Sequence, residues 1–388
     1  MSATPYDGVV LAAPFSTEYI RYSNDSAHAW IARALRGSLA AAGLQKADVD
    51  GMAVASFTLF PDSGVALAQH LGLCLRWLDT IPMGGASGAV ALRRAARAVQ
   101  AGDARIVACV AGDTNHIDSF RRLLGSFSRF AQDASYPYGY GGPNANFALI
   151  TARYMAEYGV ERAAFGHICV AQRENALRSP RAVMKTPLTL EQYLSARPIA
   201  DPLALFDCVM PCAGAEALLV MREDEAERLG LPFARINATL ERHNAHADDP
   251  VQLRGGWTLD RDDFWAAAGC GPADMDLVQT YDDYPVISVM QIEDLGFCQK
   301  GDGAAFLQTR DLTVDGDLPH NTSGGQLSGG QAGAAGGFIG LVEALRQVTG
   351  QAGGTQVQGA RRALVSGFGM VNYDRGVCAS AAVLEGAA

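Results

Sequence analysis

Met83–Gly112 reads MGGASGAVALRRAARAVQAGDARIVACVAG, and one complete turn–helix–strand unit lies within it. The glycines of Met83–Gly88 suit a tight turn. Ala89–Gln100 is rich in Ala, Leu and Arg, which favour helix, and Ala101-Gly102-Asp103 stops it. Arg105–Gly112 (RIVACVAG) is a short apolar run of the kind that forms a strand buried on both faces. The same order returns in the second half. Gly329–Gly337 is again Gly-rich, Phe338–Val348 reads as a helix, and Arg362–Gly369 (RALVSGFG) reads as a short buried strand. Such units recur across α/β proteins, so coincidence is one reading of the echo; the matched places in the two halves favour a duplicated architecture.

Working outward, strands are expected at Gly8–Ala13, Met52–Phe57, Ala215–Met221, Phe233–Glu241, Leu277–Tyr281 and Val377–Leu384. Helices are expected at Ser26–Ala42, Gly64–Leu71, Ala145–Glu157, Glu161–Arg178, Leu190–Ser195 and Arg261–Ala268. The stretch 113–200 carries helices but little strand signal, and it includes a loop rich in Gly, Tyr and Pro, Tyr136–Pro143. It reads as an insertion over one half of the core. The chain therefore divides into halves at 1–225 and 226–388 in one compact α/β body.

Composition removes several functions. The 388 residues are 49% hydrophobic with a net charge of −10, which argues against a phosphate-binding nucleic-acid surface. No apolar run reaches membrane-spanning length, and the N-terminus lacks the basic-then-apolar pattern of a secretory signal. The eight cysteines are scattered, and only Cys208 and Cys212 are close, with no partner pair or His cluster to complete a zinc site. Reduced thiols in a cytoplasmic protein, with no metal or redox cofactor, are the expectation.

The order of motifs resembles the thiolase superfamily, in its sterol-carrier-protein-type branch with the bacterial lipid-transfer-like relatives. Ser87–Asp113 is similar to the segment carrying the thiolase nucleophile, its helix and the next strand. Ile199–Val220 resembles the strand closing the first half, and Tyr281–Cys298 (YDDYPVISVMQIEDLGFC) the branch's His-Asp-Cys-Phe region. Asn321–Gly337 resembles the segment that normally runs from Asn-x-x-Gly-Gly to Gly-His-Pro, and Arg362–Gly376 the closing strand and catalytic loop. The resemblance covers essentially the whole chain. It implies a five-layered αβαβα fold of two similar halves, a homodimer, and a coenzyme A thioester as substrate.

The same alignment removes the usual chemistry. The nucleophilic Cys falls on Gly85 or, with a one-residue slip, Ala86; the His of Gly-His-Pro falls on Gln331; the second Cys falls near Ser366 or Gly367. None of these can act as thiolate or as base. What the resemblance leaves is an oxyanion scaffold of backbone N–H groups, for which Gly85, Gly325 and Gly369 are the candidates. Tyr281 stands where the branch carries a His, and is read as a proton donor, as a base with a lowered pKa, or as a satisfied core residue. Tyr373, on the closing loop, is a second acid–base candidate. Ser87 is a replacement nucleophile or a helix cap. Asp282 and Asp283 read as exposed turn acids. Arg173 and Lys185, on the inserted region, are candidates for the coenzyme A phosphates or ordinary surface cations.

The reading that follows is an enzyme, a Cys-independent lyase cleaving a β-hydroxyacyl-CoA by retro-aldol chemistry. Relatives of that kind imply a small OB-fold partner with a zinc ribbon, although they often carry a Tyr where this chain has Gln331. Two alternatives stand beside it: an acyltransferase using a nucleophile such as Ser87, and a catalytically silent subunit scaffolding a thiolase complex.

Overall fold

The computed structural model describes residues 5–116, 137, 139 and 142–387. The expected Tyr136–Pro143 loop lies largely outside them. The first half supplies β1 (Val9–Ser16), α1 (Ala27–Ala42), β2 (Gly51–Ala55), α2 (Gly64–Leu71), β3 (Trp77–Thr80), α3 (Ser87–Ala101), β4 (Ile106–Asp113), α4 (Gly142–Tyr158), α5 (Arg162–Arg178) and β5 (Gly214–Arg222). The second supplies β6 (Phe233–His243), α6 (Trp257–Ala268), β7 (Leu277–Gln279), α7 (Pro285–Asp294), α8 (Gly336–Val348), β8 (Arg362–Asn372) and β9 (Arg375–Gly386).

The strands form one nine-stranded sheet in the order β3-β2-β4-β5-β1-β6-β9-β8-β7. Its two wings repeat each other about the β1–β6 pair. β2 runs parallel to β4, β4 antiparallel to β5, and β5 antiparallel to β1. In the second wing β7 runs parallel to β8, β8 antiparallel to β9, and β9 antiparallel to β6. The expected duplication is thus present in strand order and direction.

Three cores separate five layers. α1 and α2 cover the outer face of the first wing, with Trp30, Ile31 and Leu67 among the buried side chains. α3 and α8 lie between the wings and share one core with both of them, including Val90, Leu92, Phe338 and Leu341. α4–α7 cover the outer face of the second wing around Phe147, Phe165, Trp257 and Ile287. In the middle layer the Gly-rich helix starts meet: a Cβ on Gly88 would lie 2.1 Å from the Gly337 carbonyl oxygen. Both expected turns are therefore Gly-rich because two helix N-termini cross at backbone contact.

Some boundaries moved. β2 ends at Ala55 because the next backbone groups turn to bind Asp113. β7 ends at Gln279, and the Thr280 N–H goes to the Asn321 side chain. β3 is a short, half-exposed edge strand with little sequence signal. All ten residues of α7 are buried, so it shows no amphipathic period for a sequence reading to find.

Candidate active site

One cavity of about 270 Å³ opens among the loops at the strand ends. Its wall is assembled from separate elements: Gly84 and Gly85 at the start of α3, Asp113 at the end of β4, and Cys208–Cys212 before β5. Tyr281, Asp283 and Tyr284 come from the β7–α7 connection, Gln331 and Gly333 from the approach to α8, and Phe368 and Met370 from β8. Phe57, Phe147 and Val371 give it apolar surface.

Gly85, one of the two positions matched to the nucleophile, has no room for a side chain. A Cβ built there would sit 2.1 and 2.2 Å from two carbons of the Tyr281 ring and 2.4 Å from the Phe368 carbonyl oxygen. The phenol ring fills the space a side chain at position 85 would need. Gly367 is closed in the same way, its Cβ position lying 2.7 Å from the Gly85 carbonyl oxygen and 2.6 Å from Ser380 Oγ. Gly85 and Gly367, one candidate from each of the two pairs matched to thiolase cysteines, are packed on each other.

Beside that ring lies a hydrogen-bonded cluster. Gln331 Nε2 donates to Tyr281 Oη at 3.3 Å, to Asp283 Oδ1, and to Gln326 Oε1 at 3.2 Å. Tyr281 and Asp283 share a further hydrogen bond. Burial and the Asp283 charge hold the Tyr281 hydroxyl well above its ordinary pKa. Tyr281 is therefore a neutral phenol near neutral pH, and the expected base with a lowered pKa is corrected. Asp283 is the reverse case. Burial, helped by neighbouring Asp282, raises its carboxyl to about 7 while the Tyr281 hydrogen bond pulls it down. The exposed turn acid of the sequence reading is a cavity-lining carboxyl poised near neutrality, the range that suits general base catalysis. Gln331 keeps both partners oriented.

Two other aspartates hold the surrounding loops in place. Asp113 accepts from Ser56 Oγ (2.8 Å), Phe57 N (2.9 Å), Thr58 N and Oγ1 (both 2.6 Å) and Ala334 N (2.7 Å). It ties the first wing to the loop that carries Gln331. Asp282 is only 1% exposed, which also overturns the surface-acid reading, and accepts from Gln326 N at 3.0 Å and Leu327 N at 3.3 Å. Asp113→Ala would strand several buried donors and is expected to lower stability by about 3 kcal/mol in denaturant unfolding.

The remaining sequence candidates separate cleanly. Gly85 lines the cavity, but Gly325 does not: it has φ +56°, and a Cβ there would lie 2.1 Å from Asp282 Oδ2. The amides following it serve Asp282, so the oxyanion expectation for Gly325 is corrected. Gly369 packs against the Met83 carbonyl oxygen, 1.9 Å from its Cβ position, and the cavity wall is formed by its neighbours Phe368 and Met370. Ser87 is fully buried; its hydroxyl donates to the Ile81 carbonyl at 3.1 Å and accepts from Met83 N at 3.2 Å. It clasps the turn, with Ala86 as the helix cap, and does not line the cavity. Tyr373 lies in the β8–β9 turn at φ +53°, away from the cavity wall. Arg173 is buried, with its guanidinium on Ser328 Oγ (2.9 Å) and the Thr186 carbonyl (3.1 Å). Lys185 holds the Ser179 and Pro180 carbonyls at 2.9 and 3.1 Å. Arg173 is turned inward onto protein acceptors, Lys185 is exposed while it holds its two carbonyls, and neither lines the cavity.

Cys208 and Cys212 line the cavity, but burial pushes both thiols up to about 12. Thiolate is scarce at neutral pH. Cys208→Ala and Cys212→Ala are each expected to change kcat less than about threefold, well short of the 100-fold or more expected for a catalytic group. Among the described residues no His/Cys/Asp/Glu group is placed to hold a metal ion.

With this geometry in view, comparison with known proteins places the chain. Residues 262–380 match the family model described as thiolase C-terminal domain-like. The chain belongs to the thiolase superfamily, in its sterol-carrier-protein-type branch. It is 31% identical over 367 residues to a protein of Thermomonospora curvata named steroid side-chain-cleaving aldolase, covering 90% of this chain and 92% of that one. It is 32% identical over 356 residues to the 17-hydroxy-3-oxo-4-pregnene-20-carboxyl-CoA lyase of Mycobacterium tuberculosis, covering 86% and 90%. A solved structure titled Ltp2-ChsH2(DUF35) aldolase superposes with TM-score 0.82 at 27% identity over 98% of each chain.

Proposed function

We propose that this enzyme cleaves the Cα–Cβ bond of a β-hydroxyacyl-CoA thioester by retro-aldol chemistry, with no acyl-enzyme intermediate. The observation that carries this reading is the Tyr281 ring filling the side-chain space of Gly85, next to Asp283 and Gln331. The thiolase nucleophile has been exchanged for an acid–base pair. The similarity to proteins named as a steroid side-chain-cleaving aldolase and a carboxyl-CoA lyase supports the same chemistry here.

In this mechanism Asp283 accepts the proton of the substrate hydroxyl, directly or through the Tyr281 phenol. The carbonyl C=O bond of the ketone product forms as the Cα–Cβ electron pair moves into the thioester, giving an enolate. The Gly85 N–H, at the cavity wall and the start of α3, is the proposed stabiliser of the enolate oxygen. The proton held by Asp283 is then returned to Cα. Gln331 positions the pair, since its amide nitrogen is already shared among three acceptors. The apolar wall suits a bulky hydrocarbon ketone, and relatives with steroid names support one of that class.

Tyr281→Phe removes one hydroxyl and leaves the ring that packs on Gly85. It is expected to lower kcat/KM for ketone release by about 100-fold with little change in thermal unfolding. Unchanged rates in both Tyr281→Phe and a folded Asp283 variant would favour the silent-scaffold reading. Loss of rate in a folded Ser87→Ala would favour acyl transfer.

A homodimer and a small OB-fold partner belong to the same proposal. The solved relative's title joins two protein names, which supports an assembly of this kind here. No described helix is long and apolar enough to cross a membrane.

A further inference from the structure

The cavity wall carries a second polar spot that the proposed reaction does not use. Asn144, in the first turn of α4, lines the cavity, and its side-chain oxygen accepts a hydrogen bond from the Tyr284 hydroxyl. Tyr284 is 3% exposed and lines the cavity too. Burial holds its phenol well above the ordinary pKa, so the hydroxyl remains a donor near neutral pH. With its oxygen taken, Asn144 has its amide N–H2 left, and among the described residues that group has no partner.

This pair does not belong to the catalytic cluster. Among the described residues no hydrogen bond links it to Tyr281, Asp283 or Gln331. Aromatic contacts join the two places instead. The Phe147 ring stacks on Tyr284 with centroids 4.1 Å apart, and it lies 6.0 Å from the Phe368 ring. Phe368 in turn meets the Gly85 turn through its carbonyl oxygen. A hydrocarbon laid from Gly85 along these rings arrives at an amide donor. Other unpartnered atoms on the wall do not compete, because Thr114 Oγ1 and Asn115 Oδ1 have almost no exposed surface.

We propose that the Asn144 amide, oriented by Tyr284, donates to a carbonyl oxygen on the substrate's hydrocarbon fragment, remote from the bond that breaks. This assignment rests on the proposed reaction only in taking the cavity to hold that fragment. The amide N–H2 offers donors alone and a carbonyl offers acceptors alone, so the match leaves no polar hydrogen unpaired on the ligand. A methylene in the same place leaves the donor facing hydrocarbon, which is how such a site rejects the unoxidised analogue.

The test is binding, not turnover. Titration calorimetry compares two acyl-CoA thioesters that lack the β-hydroxyl, so that neither can be cleaved. Both carry the same fused-ring hydrocarbon, one with a carbonyl on the ring farthest from the thioester and one with a methylene there. The wild type is expected to bind the oxo compound about tenfold more tightly. In Asn144→Leu the oxo compound should weaken to the level of the methylene compound, whose own affinity stays within about twofold of wild type. Tyr284→Phe keeps the ring on Phe147 but releases the amide, and should retain a preference of about threefold. If the Leu variant does not fold, Asn144→Asp serves. Its carboxylate still accepts from Tyr284 but donates nothing, so the preference should reverse. Equal binding of both compounds by wild type, a preference kept in Asn144→Leu or Asn144→Asp, or an equal loss for both compounds in Asn144→Leu would overturn the proposal. No binding of either compound would overturn it together with the proposed substrate class. Because no bond is broken, a failed cleavage assay leaves an observed preference standing, and a missing preference leaves the retro-aldol reading standing.

Discussion

Asp283→Asn is expected to lower kcat/KM for carbon–carbon cleavage by about 1,000-fold while the protein stays folded. The amide keeps the shape of the side chain, and its oxygen can still accept from Gln331, but it cannot take a proton from a substrate hydroxyl. The pH dependence gives a second signature. A base must be ionised to act, so the wild-type kcat/KM should climb with pH through about 7 and level off above it. That limb should vanish in the variant. Stability moves the opposite way. The folded-state pKa lies above the unfolded value, so the native state holds the extra proton between about pH 4 and 7, and stability falls as pH rises through that window. Above pH 7 the Asn variant should unfold at the same or a higher temperature than wild type. A rate loss accompanied by a lower Tm at pH 8 would instead mark Asp283 as a structural residue.

Gly85→Cys restores the residue type that thiolases place at this position, and it is expected to damage the protein without creating a thiolase. The new Cβ would stand 2.1–2.2 Å from the Tyr281 ring and 2.4 Å from the Phe368 carbonyl oxygen. Real contacts at such distances do not occur, and the obstacles are an aromatic ring and backbone. Overpacking of this kind costs about 3 kcal/mol, and the displaced Tyr281 would lose its place beside Asp283 and Gln331. Cleavage should fall at least as far as in Tyr281→Phe. Alanine at the same position should be nearly as harmful, because the clash begins at Cβ. A Gly85→Cys protein with wild-type stability and acyl-transfer activity would show that the ring yields easily and that the site remains a thiolase site in waiting.

These residues also show what the sequence could and could not say. The fold was legible because both halves repeat the same device, a Gly-rich turn feeding a helix and then a buried strand, and the glycines are required where α3 and α8 cross at Gly88 and Gly337. The losses at Gly85 and Gln331 were legible by position. The replacement was not. That Tyr281 fills the vacated space depends on contacts between residues nearly two hundred positions apart, and no local pattern encodes it. Asp283 was misread because paired acids in a turn are usually solvated; here the carboxyl meets Tyr281 and the distant Gln331, a contact that no local pattern announces. Arg173 shows a related limit. A sequence shows a cation but not whether burial turns it onto protein acceptors, here Ser328 and the Thr186 carbonyl.

In the proposed reaction the bond is broken by acid–base chemistry on an enolate, with nothing attached to the protein. It is tested most directly by mass spectrometry of a single quenched reaction run in deuterium oxide with a tertiary β-hydroxyacyl-CoA. Equal amounts of ketone and shortened acyl-CoA are expected, with one deuterium on the α-carbon of the latter and an intact-protein mass without any adduct. An acyl group retained on the denatured chain, or a shortened thioester carrying no deuterium, would contradict it.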